Sequence, residues 1–207
     1  IIETLELFRG KGYVCGYLTT NGTAITDERA EALADLAVKG FLKHISVSID
    51  GPPEVHDVAR GAKGTFEKTA KGLKRLQDAA RRRGAPLRVS INTTVAGESI
   101  DALDRMVDVA ADLGIDAIGI NHLMYSTPEE VDQTLRILGL TDRALVATFV
   151  TPNPGVRPDQ VREKVGALQR KCAERGIKFD VRPKVWPEIT EAYYTAGSPI
   201  EGRCLYP

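Results

Sequence analysis

Short stretches in which apolar and polar residues alternate are separated by longer stretches with helical spacing. His44–Asp50 is the clearest of the first kind. Ile45, Val47 and Ile49 alternate with Ser46, Ser48 and Asp50, the period of a pleated strand with one apolar face. Gly51-Pro52-Pro53 ends it, because proline cannot donate to a ladder. The residues that follow, with His56, Asp57 and Arg60, read as a polar loop before a helix opens near Thr65. Further strands are predicted over Tyr13–Thr20, Leu87–Val95, Asp116–His122 and Ile177–Val181.

Helical spacing marks Ile1–Arg9, a segment capped by Thr26, the long Thr65–Arg83, a segment after Ser99, Pro128–Leu138 and Pro158–Arg175. Lys184–Ala196 reads as one more helix, and Met124–Val156 is less regular. Strand and helix thus alternate about five times, with the roughly 30-residue repeat of βαβ units. Strands joined by helical crossovers run parallel. The fold class is therefore α/β: an open sheet or a partial (β/α) barrel, since a closed eight-stranded barrel needs about 250 residues. Residues 1–196 read as one core and residues 197–207 as a linker.

Composition changes this picture little. The 207 residues are 43% hydrophobic, enough for one core, and 28 Lys and Arg balance 28 Asp and Glu. No global field recruits nucleic acid or an anionic membrane, and no apolar run approaches the ~20 residues of a membrane span. Three scattered cysteines (Cys15, Cys172, Cys204) do not make a disulfide framework, which points to a reducing cytoplasm. The chain opens at Ile1, within a helical pattern, as part of a longer protein would.

Chemistry in parallel α/β folds gathers where strands end. Those ends are Thr19-Thr20-Asn21, Ser48-x-Asp50, Asn92-Thr93-Thr94 and Asn121-His122, all polar after apolar runs. Four in succession describe a mouth for a hydrogen-bonding ligand. Each residue also has a plainer role: Ser48 and Asp50 as strand-end caps, Arg60 as the partner of Asp50 or Asp57, Asn21 and Asn92 as turn formers. His56 fits a loop brace, His122 either a cavity or a strand closure, and Cys172 the core. No dinucleotide glycine fingerprint, P-loop, zinc motif or nucleophile elbow is present.

Asn21-Gly22, then Ile45-Ser46-Val47-Ser48-Ile49-Asp50-Gly51-Pro52, Glu54-Val55-His56-Asp57, Arg60-Gly61 and Gly64-Thr65-Phe66 resemble radical S-adenosylmethionine (SAM) enzymes. The likeness is to the branch that carries a C-terminal SPASM or twitch domain. It implies the middle and later units of that family's partial barrel, with the first units upstream. It also implies SAM and a 4Fe-4S cluster as cofactors, with SAM cleaved reductively to a 5′-deoxyadenosyl radical. Ser48, Asp50, Arg60, Asn92 and Asn121 would contact SAM, and Cys204 would begin a C-terminal cluster segment. The substrate would be a peptide or small molecule, in peptide modification or cofactor maturation, with flavodoxin or ferredoxin as electron donor.

The family's Cys-x-x-x-Cys-x-x-Cys is absent from these 207 residues and is expected upstream, so this stretch alone is expected to be inactive. Two other functions compete. One is a non-catalytic SAM- or nucleotide-binding relative. The other is an unrelated (β/α) barrel lyase, which lacks a Schiff-base lysine at a strand end before Lys184.

Overall fold

A computed structural model describes residues 1–123, 125–142 and 155–195. Five strands form one sheet: β1 (Leu18–Thr20), β2 (His44–Ser48), β3 (Arg88–Val95), β4 (Ala117–His122) and β5 (Lys178–Arg182). Their spatial order is the sequence order, and every pair is parallel. Parallel crossovers are right-handed, so five strands laid down in one direction place every crossover helix on the same face. That face is covered and the other is left open. The fold is α/β and curves as an arc of a barrel.

The helices are α1 (Ile2–Gly10), α2 (Asp27–Val38), α3 (Pro53–Ala59), α4 (Thr65–Arg83), α5 (Met106–Asp112), α6 (Pro128–Leu138), α7 (Pro158–Glu174) and α8 (Thr190–Tyr194), with a 3-10 turn over Ile100–Arg105 before α5. The covered face of the sheet carries Ile45, Val47, Ile49, Ile91, Val95, Ile118 and Ile120, all buried with Leu36, Leu73, Leu76 and Leu168 from the helices. Among the described residues, no helix is long and apolar enough to cross a membrane.

Local chemistry sets the helix ends. Thr26 accepts the Arg29 N–H at the start of α2, and Thr127 and Glu130 form a reciprocal capping box on α6. Helix α4 runs over the predicted Thr65–Arg83, with Gly64 and Gly84 left-handed at its two ends.

Three predicted elements differ. The segment with His56 and Asp57 is helix α3 rather than a loop, with Arg60 as its C-terminal cap residue. Pro53 stops the strand, but at the first helical position its missing N–H costs nothing and its φ suits a helix. The first strand is Leu18–Thr20 alone, with an isolated bridge from Cys15 to Leu42. Of Lys184–Ala196, the described helix is only Thr190–Tyr194, since Pro187 lacks the N–H an earlier start would use.

Asp57 joins α3 to α4. Its carboxylate accepts the backbone N–H of Gly64 at 2.6 Å and of Phe66 at 2.8 Å. Those bonds, Phe66's first, stabilise the carboxylate and hold its pKa below the ordinary carboxylate range. Asp57→Ala leaves two helix-start donors without this partner, and is expected to lower Tm by about 3 °C in a thermal melt, the size of a lost cap. An unchanged Tm would show that water caps α4 equally well.

Candidate functional site

Register decides which residues share the open face. Ser46 pairs with Thr19 and Ser90, Ser48 with Asn92, Asn92 with Gly119, Thr94 with Asn121, and Asn121 with Arg182. In-register neighbours on parallel strands point the same way, so these side chains line one concave surface. Closed barrels fill that space with Val, Ile and Leu. Here it is Ser, Thr, Asn and Gly, which are too small and too polar to pack it. A cavity of about 250 Å³ results, and Ser90, Asn92, Gly119 and Asn121 are among its walls.

Several of those polar groups are uncommitted. Among the described residues, the side chains of Ser48, Asn92, Thr94 and Asn121 make no hydrogen bond to another side chain or to backbone. A Cβ at Gly119 would lie 3.2 Å from the Asn92 Oδ1, so this glycine keeps open the space beside the amide. The surface can offer donors and acceptors to the polar edges of a nucleoside-sized ligand.

Asp50 and Arg60 stand at the rim and are engaged with each other. Arg60 Nη2 lies 2.7 Å from Asp50 Oδ2, while Thr94 N–H donates to Asp50 Oδ1 at 3.3 Å. The Asp50 backbone N–H donates to His56 Nδ1 at 3.1 Å, which places the ring proton on Nε2. His56 is buried, and burial lowers its proton affinity. This network ties the end of β2 to β3 and to α3. Breaking it by Asp50→Ala is expected to cost about 2 kcal/mol in urea unfolding, less than a fully buried pair because Arg60 is partly solvated. A double-mutant cycle with Arg60→Ala measures the coupling; additive costs would show that the pair contributes nothing of its own.

The remaining predicted residues separate by face. Asn92, Asn121 and Ser48 come together on the concave side. Asn21 forms a turn with Thr23 N–H and offers its carbonyl to Thr69 at 2.9 Å, away from the cavity. His122 is on the helix-covered face with Ile118 and Ile120, its Nδ1 2.8 Å from Tyr194 Oη. Cys172 is in the core and Cys204 lies outside the described residues. The cavity walls that sequence reading missed include Tyr17, His44, Arg88, Lys178 and Arg182. Parity was the available signal: 44 and 88 lie an even number of residues before Ser48 and Asn92, on the same side of their strands.

Among the described residues, no group of three or more His, Cys, Asp or Glu is placed to hold a metal. Cys15 is half-buried in the bridge to Leu42, and Cys172 is on the buried face of α7. The described residues therefore do not build an iron–sulfur site.

Residues 17–110 match the sequence profile of the Radical SAM superfamily. Over 112 residues the chain is 36% identical to an AdoMet-dependent heme synthase of Methanosarcina barkeri, covering 54% of this chain and 28% of that protein. Over 148 residues it is 30% identical to an AdoMet-dependent heme synthase of Nitratidesulfovibrio vulgaris, covering 71% of this chain and 35% of that one. The chain thus spans about a third or less of the length of these relatives. In fold it resembles Streptococcus suis SuiB, solved with S-adenosylmethionine, at a TM-score of 0.58 and 13% identity over 91% of this chain and 36% of that one.

Proposed function

We propose that this chain belongs to a radical SAM enzyme of cofactor maturation or peptide modification and that its concave face binds SAM and substrate, a reading supported by the match of residues 17–110 to that superfamily's profile. The observation that carries this reading is the row of uncommitted Ser, Thr and Asn side chains on the open face of the arc. Ser48, Asn92 and Asn121 would hold the ribose and adenine edges, with Asp50 and Arg60 fixing the rim from which they project. When bound, SAM supplies in this family the carbon radical that takes hydrogen from a substrate.

This chain's own residues bind, orient and shield. Gly119 leaves room for the ligand against the strand backbone. The apolar helix layer excludes water from the other side of the sheet. The described residues do not supply the three thiolates a cluster would require; those would come from outside them. Likeness to two heme synthases supports a tetrapyrrole-type cofactor precursor as substrate over a peptide.

Calorimetric titration of SAM into the full chain tests the reading. Gly119→Val, which puts a branched side chain against Asn92, is expected to weaken SAM affinity at least tenfold. Unchanged affinity in this folded variant would remove the concave face as the SAM site.

A further inference from the structure

The cavity runs from Asn92 and Asn121 back to the starts of β2, β3 and β5, where His44, Arg88 and Lys178 line it. Its charge balance there is positive. The acid on its wall is Asp180, already held by Arg182 at 2.9 Å and Lys184 at 2.9 Å. Lys178 reaches Asp116, which is not part of the wall, at 3.5 Å. Arg88 has no acidic partner among the described residues. His44 lies between these cations. Its Nε2 is 2.8 Å from Ser90 Oγ, which in turn donates to Ser46 Oγ at 3.1 Å. Tyr17 packs edge-on against the His44 ring at 4.8 Å and takes the Arg182 guanidinium over its own face at 5.5 Å. The proton affinity of His44 is lowered by burial, then by Arg88 and Arg182, and no anion among the described residues offsets them.

We infer that this cationic end of the cavity holds a carboxylate of the substrate, with Arg88 and Lys178 as its recognition residues. The inference rests on the concave face being the substrate chamber. Arg88, without an acidic partner among the described residues, and Lys178, whose Asp116 partner stands outside the wall, leave positive potential at this concave end, and the Arg88 fork matches a carboxylate in two-point contact. At about 250 Å³ the cavity falls below the ~300–1,000 Å³ of sites that enclose a whole small ligand. It admits an acidic side arm while the body of the substrate lies outside it. A tetrapyrrole side arm and an acidic peptide side chain share this chemistry.

Two probes separate those sources: coproporphyrin III and a short Glu-rich peptide, each titrated into the full chain. Binding is read from probe fluorescence or anisotropy and from the pH titration of the His44 imidazole resonance. The site's own probe is expected to raise the His44 pKa as its negative charge arrives. Arg88→Gln is expected to weaken that probe about tenfold or more, with partial recovery in Arg88→Lys. Arg88 is exposed, so circular dichroism of the variant is expected to match the parent. If neither probe moves His44, or if Arg88→Gln binds like the parent, the inference is overturned. SAM titration of the parent is read separately. Carboxylate binding without SAM binding would uphold this site and remove the proposed function, while the reverse result would remove this site alone.

Discussion

Gly72→Ala is expected to destabilise the protein by about 3 kcal/mol or more, although alanine is the better helix former. Gly72 is buried in the middle of α4, and a Cβ there would lie 2.1 Å from the carbonyl oxygen of Gly22. Helix propensity returns about 1 kcal/mol. Against this stands a clash with backbone, which no side-chain rotation relieves. The close approach is built on both sides. Gly22 has φ +75° and its own Cβ would meet Val47 Cγ1 at 3.0 Å, while Thr69 Oγ1 donates to Asn21 O and Arg75 Nη1 to Ile25 O. The loop after β1 is thus seated in a groove that only a bare helix backbone provides. Urea unfolding measures the loss, with Gly166→Ala as control, since a Cβ there would meet nothing nearer than Trp186 at 3.4 Å. Equal stability of the two variants would show that α4 can move off the loop at little cost.

Acidification from pH 6.5 toward 4 is expected to remove about 3 kcal/mol through His122 alone. Its side chain is buried, with Nε2 lacking a hydrogen-bond partner among the described residues, and burial lowers its pKa from 6.5 to about 4. The unfolded chain therefore binds a proton throughout this window that the native protein refuses. Stability rises with pH wherever the unfolded state holds more protons, so it falls as pH drops through 6.5 and the loss is complete near 4. Burial shifts His44 and His56 the same way, which adds to the acid loss. The lowered carboxylates, Glu6, Glu31 and Asp57 among them, weaken at lower pH still. His122→Phe forfeits the Tyr194 contact at neutral pH but is expected to flatten the unfolding free energy between pH 6.5 and 4.5. A parent whose stability is level over that range would contradict a neutral, buried His122.

Much of the arc was legible because its physics is local. The alternation through Ile45, Val47 and Ile49 needs only a strand with one buried face, and helix α4 is bounded by glycines that only a left-handed end requires. Ser48, Asn92 and Asn121 could be picked as strand-end polar residues, and register brought them together. What could not be read locally was which side a residue faced. His122 follows Asn121 by one position and so lies on the opposite face, against Tyr194. Pro52-Pro53 carries two meanings, strand stop and helix start, and the chain uses both. Arg88 and Lys178 carry no local signal in the sequence, because their cavity exists only once β2 to β5 come together.

The most direct measurement follows the side-chain amide resonances of Asn92 and Asn121 while SAM is added to the full chain, with Asn21 as internal reference. If the concave face is the ligand surface, both amides shift with a common saturation curve while Asn21, whose Oδ1 is held by Thr23, stays in place. If SAM leaves Asn92 and Asn121 unmoved, or shifts Asn21 instead, the polar face of this arc is not where the cofactor binds.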